Sequence, residues 1–129
     1  MDDKNHIVMK RLVILSVLAL TLFAFSGPKA SIEWNFTEYN FGQIEKNKPA
    51  TIEFSFKNPG MIPIVVTDVK SSCGCTVPEY PKEPIAPGSE GKIVVTYDAK
   101  VSGYFSKTIT VHTNTSQGKT LLYIKGEVN

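Results

Sequence analysis

The only two cysteines of the chain stand one residue apart in the stretch Ser71-Ser72-Cys73-Gly74-Cys75-Thr76. Thiols at this spacing admit three kinds of chemistry. In an extended strand, residues i and i+2 lie on one face about 6.6 Å apart, near the upper limit for a disulfide. A Cys73–Cys75 bridge therefore needs the chain to pucker at Gly74, and glycine permits this because it takes positive φ without a Cβ clash. Closing a three-residue loop is worth only about 1.6 kcal/mol in the chain-entropy account, too little for a structural staple. A bridge so placed reads instead as a labile, redox-active one. The second chemistry is metal binding: two soft thiolates suit Cu(I), with Met61 as a nearby helper. The third is none at all, two reduced cysteines packed as small hydrophobes at a strand end. The candidate motif is thus Ser72, Cys73, Gly74, Cys75 and Thr76, and any metal would have to be held by Cys73 and Cys75.

Other catalytic routes lack their parts. Zinc needs a closed set of four ligands, and beyond the N-terminal apolar run the chain offers one histidine, His112. The same residue is the only candidate base for a nucleophilic cysteine, and its place between Val111 and Thr113 reads as the solvent face of a strand. No Gly-rich phosphate loop, nucleophile elbow or carboxylate cluster occurs, so the expected protein is not an enzyme and carries no cofactor. Asn35-Phe36-Thr37 and Asn114-Thr115-Ser116 match the glycosylation sequon, which matters only in a host with that machinery. The aromatics Trp34, Tyr39 and Tyr80 admit a carbohydrate-binding face, although aromatics in β-runs are more often core.

The elements that must position the motif read as strands. Thr51 to Phe56, "TIEFSF", alternates strictly, with Ile52, Phe54 and Phe56 on one face, and Asn58-Pro59-Gly60 closes it as a turn. "IPIVVTDVKSS", "GKIVVTYD", "YFSKTITVHTN" and "KTLLYIKGEV" are further β-runs, and "SIEWNFTEYNFGQI" holds one or two edge strands. Six or seven strands with no helical period argue an antiparallel β-sandwich of about 100 residues. Gly42, Gly60, Gly88 and Gly103 fall at turns and are expected to take positive φ. Pro78, Pro81, Pro84 and Pro87 exclude a central strand from "TVPEYPKEPIAPG", which reads as a crossing between sheets or along an edge. Two cysteines one residue apart cannot bridge opposite sheets, so apolar packing alone must hold the core.

The first 26 residues read differently. Lys10 and Arg11 precede an apolar run of 14 residues, Leu12 to Phe25, too short to span a bilayer and of signal-peptide length. Ala24-Phe25-Ser26 fits the small-residue cleavage rule before Gly27, and Met9 is an alternative start. The expected division is a leader over 1–26 and one domain over 27–129. Without the leader the chain keeps 11 lysines, 10 carboxylates and no arginine, a net charge of +1. That even spread lacks the concentrated basic face and arginine forks of a nucleic-acid binder. The expected address is exported, periplasmic or extracellular, with a soluble mature domain and membrane anchoring only if the leader is retained.

"FGQI", "FSFKNPG", "VTDVKSSCGCT", "PIAPGSEGKIVVTYD" and "GYFSKTITVHTN" together resemble the bacterial domain-of-unknown-function family 1573. The resemblance covers nearly all of the chain beyond the leader, and "SSCGCT" with the following Pro-Gly turn is its most specific part. That family is similar to the immunoglobulin-like modules of the major sperm protein, ASH/hydin and pilus-chaperone kind. The resemblance implies an immunoglobulin-like sandwich of about seven strands that binds or spaces other proteins, with an unidentified protein partner. It transfers no activity and no role for Cys73, Gly74 or Cys75.

Overall fold

The computed structural model describes residues 3–20 and 27–129. A helix, α1, spans Asp3–Leu20, and its apolar side chains from Ile7 to Leu15 are exposed. No helix among the described residues is long and apolar enough to cross a membrane. The expected cleavage tripeptide Ala24-Phe25-Ser26 lies outside the described residues.

Eight strands follow: β1 (Glu33–Trp34), β2 (Glu38–Ile44), β3 (Ala50–Lys57), β4 (Val66–Ser71), β5 (Thr76–Glu79), β6 (Glu90–Tyr97), β7 (Gly103–Thr113) and β8 (Lys119–Val128). They form two four-stranded sheets, ordered β1-β3-β6-β5 and β2-β8-β7-β4. The period-2 patterns set which side faces inward. Phe54 and Phe56 of β3, Ile93 and Val95 of β6, Ile109 and Val111 of β7, and Leu122 and Ile124 of β8 are all fully buried. Each such side chain contributes about 1.5–3 kcal/mol relative to exposure, and these contacts between the sheets are the main hold on the fold.

All strand pairs are antiparallel except β2 with β8, which is parallel. The cause is a sheet switch in the N-terminal segment. Asn35 N–H still donates to Ser55 O of β3 at 3.0 Å, whereas two residues on, Thr37 O accepts from Tyr123 N–H of β8 at 2.8 Å. A segment that keeps its direction while changing sheets pairs antiparallel to β3 and then parallel to β8.

The proline-rich stretch runs along an edge. β5 holds Pro78 at the border of the first sheet, where a missing N–H costs no ladder bond on the open side. Ile85 then forms a two-bond bridge with Ile64, at 2.9 and 2.8 Å. Gly42, Gly88 and Gly103 have the expected positive φ. Gly60 does not: its N–H is taken by Asn58 Oδ1 at 3.0 Å, and that side-chain turn makes a left-handed residue unnecessary.

Candidate functional site

Ser72 to Cys75 carry the chain from β4, the border strand of one sheet, to β5, the border strand of the other. The loop is tied to both. Ser72 N–H donates to Thr108 O at 2.9 Å, and Ser72 Oγ accepts from Thr108 N–H at 3.1 Å, extending the β4–β7 ladder by one residue. On the other side Asp98 N–H, at the end of β6, donates to Cys75 O at 3.0 Å. Between these anchors the chain turns tightly, with Thr76 N–H donating to Cys73 O at 3.4 Å and Ser71 Oγ accepting from Cys73 N–H at 3.3 Å.

This turn draws the two Cα atoms to 5.3 Å, and the sulfurs of Cys73 and Cys75 are joined in a disulfide. Gly74 enters it without positive φ, contrary to the expected left-handed pucker. The turn itself shortens the Cα separation, so no left-handed residue is required. A Cβ added at Gly74 would meet nothing within 4 Å. Neither backbone conformation nor packing inside the domain therefore calls for glycine there.

The two sulfurs have different surroundings. Both cysteines are half-buried, but Cys75 packs against the hydrophobic core and Cys73 is not part of that cluster. Beneath both lies Thr76, 3 % exposed, with Oγ1 at 3.7 Å from Cys73 Sγ and 3.8 Å from Cys75 Sγ. Ser72 thus anchors the loop, and Thr76 supplies a hydroxyl in contact with both sulfurs. Spacing alone singled out the five residues but gave Thr76 no such part.

His112 is not part of this constellation. It lies on β7 opposite Asp68 and Lys119, while the loop hangs off Ser71, which faces Ile109. Three residues along a strand is about 10 Å. Among the described residues no group of three or more potential ligands gathers for a metal. A Cu(I) site at Cys73 and Cys75 would first require the disulfide to be reduced, since only thiolate binds the metal. Met61 is 93 % exposed.

The three aromatic candidates have separate surroundings, and Tyr39 is exposed. Trp34 lies 5.0 Å from the Phe56 ring and donates Nε1–H to Thr120 Oγ1 at 3.3 Å. Tyr39 sits between Phe36 and Phe41, and Tyr80 lies under the Lys82 ammonium at 3.5 Å. No ring contact joins Trp34, Tyr39 and Tyr80 into one platform among the described residues. Asn114 of the second sequon is also engaged, accepting from Val65 N–H at 2.8 Å and donating to Pro63 O at 3.0 Å. A groove of about 350 Å³ lies beside the bulge of β2, lined in part by Asn40, Gln43, Tyr104 and Lys125.

Burial first, and then the charge of Asp98, push the pKa of buried Tyr97 up. Its ring stacks on Phe105 at 4.0 Å. It is therefore a neutral core phenol.

The fold is found in proteins of distant sequence. A protein of unknown function from Porphyromonas gingivalis W83 superposes with a TM-score of 0.70 at 17% identity over 82% of this chain. This chain spans half of that protein's length. The ASH/PapD-like domain 7 of human CEP192 gives 0.66 at 9% identity, covering 84% of this chain and 92% of that domain. The VesB protease of Vibrio cholerae gives 0.58 at 13% identity over 78% of this chain, which spans 32% of the protease chain. Comparison with curated proteins finds no match. The likeness to the ASH/PapD-like domain makes the sandwich an immunoglobulin-like one. The family model described as protein of unknown function (DUF1573) matches residues 32–128, and the chain belongs to that family.

Proposed function

We propose that the chain is an exported, non-enzymatic immunoglobulin-like module of a bacterial envelope, which binds a protein partner by accepting its strand at a sheet edge. The family and the ASH/PapD-like relationship support a non-catalytic interaction domain. The observation that carries the edge is the shortness of β1. It pairs with β3 only at Lys57 and Phe56, so no strand among the described residues pairs with β3 over Ala50–Phe54 on that side.

The hydrogen-bonding direction of this stretch follows from its neighbours. Ser55 O accepts from Asn35 on the β1 side, and Asn58 N–H donates toward Ser89 beyond the end of β6. Alternate residues of a strand bond to the same side, so Thr51 and Glu53 turn their N–H and C=O groups to the open edge. An extended peptide would meet these groups as a further antiparallel or parallel strand.

Thr51→Pro tests the edge, because it removes an outward donor and leaves the β6 ladder intact. Affinity capture from cross-linked envelope extract, using the full chain, is expected to return a protein partner that the proline variant loses while its thermal transition is kept. Capture unaffected by Thr51→Pro would move the interface elsewhere. A glycan or small-molecule ligand with no protein partner would end the reading. Export is checked on the same material: an intact mass beginning at Gly27 is expected, and a mass that retains the leader removes it.

A further inference from the structure

We infer that the Cys73–Cys75 disulfide is a thiol–disulfide exchange site, attacked at Cys73 by a thiolate of a dithiol-bearing protein, with Cys75 as the leaving sulfur. Three independent features of the loop converge on this. The bridge spans only two positions of sequence within a loop that backbone bonds already fix at both ends, Ser72 to Thr108 on one sheet and Cys75 to Asp98 on the other. Gly74 lies exposed with open space where a Cβ would stand, although neither its φ nor its packing asks for glycine. With no side chain between the two cysteines, the exposed turn carries nothing bulkier than a hydrogen at its bend. Finally, the two half-buried cysteines are unequal in one respect: Cys75 packs on the hydrophobic core and Cys73 is not part of that cluster.

The reaction balances as follows. An incoming thiolate forms a bond to Cys73 Sγ as the Cys73–Cys75 bond breaks, and its electron pair leaves with Cys75 Sγ as a thiolate. Thr76 Oγ1, within 3.8 Å of that sulfur, donates its hydrogen to the developing charge. The partner's second thiolate then attacks the partner's own sulfur in the mixed disulfide and releases Cys73. The partner dithiol is oxidised to a disulfide by two electrons, and Cys73 and Cys75 are reduced by the same two. The two protons of the partner thiols end on the two cysteines. Run backward, the same steps reduce a partner's disulfide, so direction depends on the relative potentials of the two pairs.

Thr76 contacts the reacting sulfurs and is buried, and its substitution must be separated from a loss of fold. Thr76→Val keeps the shape and removes the hydroxyl, and Thr76→Ser restores it. The full-length protein is incubated with reduced glutathione at neutral pH, quenched by alkylation and read by intact mass, with thermal melting as the control for folding. Wild type is expected to open to two alkylated thiols through a glutathione adduct that maps to Cys73. Gly74→Val, whose Cβ meets no atom within 4 Å beyond the two neighbouring cysteines, is expected to react about tenfold more slowly with an unchanged melting temperature. Thr76→Val should slow the reaction severalfold and Thr76→Ser should recover it. In the single variants, Cys73 left free by Cys75→Ser should react with an aromatic disulfide reagent about tenfold faster than Cys75 left free by Cys73→Ser. An adduct on Cys75, equal rates for wild type and folded Gly74→Val, or a bridge that resists excess glutathione in the folded protein would each overturn the assignment.

Discussion

Replacing Asn58 by alanine is a severe test of how the turns beside the first sheet are held. The residue is 1 % exposed. Its Nδ2 donates to Ile62 O at 2.8 Å and to Ile85 O at 2.9 Å, and its Oδ1 accepts from Gly60 N–H at 3.0 Å. Its backbone joins the same junction, donating to Ser89 O and accepting from Gly88 N–H. One side chain thus ties the turn after β3 to the chain entering β6. Alanine removes three hydrogen bonds: Ile62 O and Gly60 N–H lose the side chain that satisfied them, while Ile85 O keeps its bond from Ile64 N–H. At about 1 kcal/mol for each net bond, the loss comes to about 3 kcal/mol. For a domain of about 100 residues, with about 4 °C per kcal/mol, the melting temperature falls by about 12 °C. Urea unfolding followed by Trp34 fluorescence measures this directly, since Trp34 packs against core residue Phe56. A loss below about 1 kcal/mol at unchanged m-value would refute the reasoning, because the three bonds would then be replaceable by water. Asn58→Asp supplies the sign. It keeps the acceptor for Gly60 but aims a carboxylate at two carbonyl oxygens. Its folded pKa is raised, so the variant should be best tolerated below the usual carboxylate pKa of about 3.9 and worsen as pH rises through it.

Three other outcomes are expected. The double variant Cys73→Ser, Cys75→Ser should unfold in urea with a loss of no more than about 1.6 kcal/mol, and a loss above about 3 kcal/mol would make the bridge a structural staple. Because burial and Asp98 raise the pKa of Tyr97 in the folded state, its stabilising effect is complete below the unfolded value of about 10 and is lost as pH rises beyond it. Alkaline unfolding curves should show this fall in wild type, less steep in Tyr97→Phe. Gly91→Ala would place a Cβ 2.5 Å from the Phe56 ring, and overpacking of this kind should cost about 1–3 kcal/mol in the same denaturation assay.

Much of this architecture was legible in the residues, for a local reason. Alternation in "TIEFSF" specified both the strand and its buried face, and Phe54 and Phe56 are fully buried as the pattern required. Turn chemistry separated β6, β7 and β8 because Pro-Gly, Ser-Gly and Gln-Gly sequences interrupt the apolar runs. The short β1 and the parallel partner of β2 were not legible. Which strand an edge segment meets depends on long-range pairing, and the switch between Asn35 and Thr37 has no counterpart in local composition.

The candidate site divides along the same line. Its membership, Ser72 to Thr76, is a matter of residue type and spacing, and the sequence by itself determined that the two thiols are close enough to bridge. Only the tertiary structure decided that they differ. The packing of Cys75 but not Cys73 on the core, the Thr76 hydroxyl near both sulfurs, and the open space at Gly74 all arise where two sheets meet. Asn58 is the parallel case, a turn residue in sequence whose three partners come from loops up to 27 residues away. Covalent neighbours set local conformation, but burial and access are set by segments distant in the chain, and no local pattern encodes them.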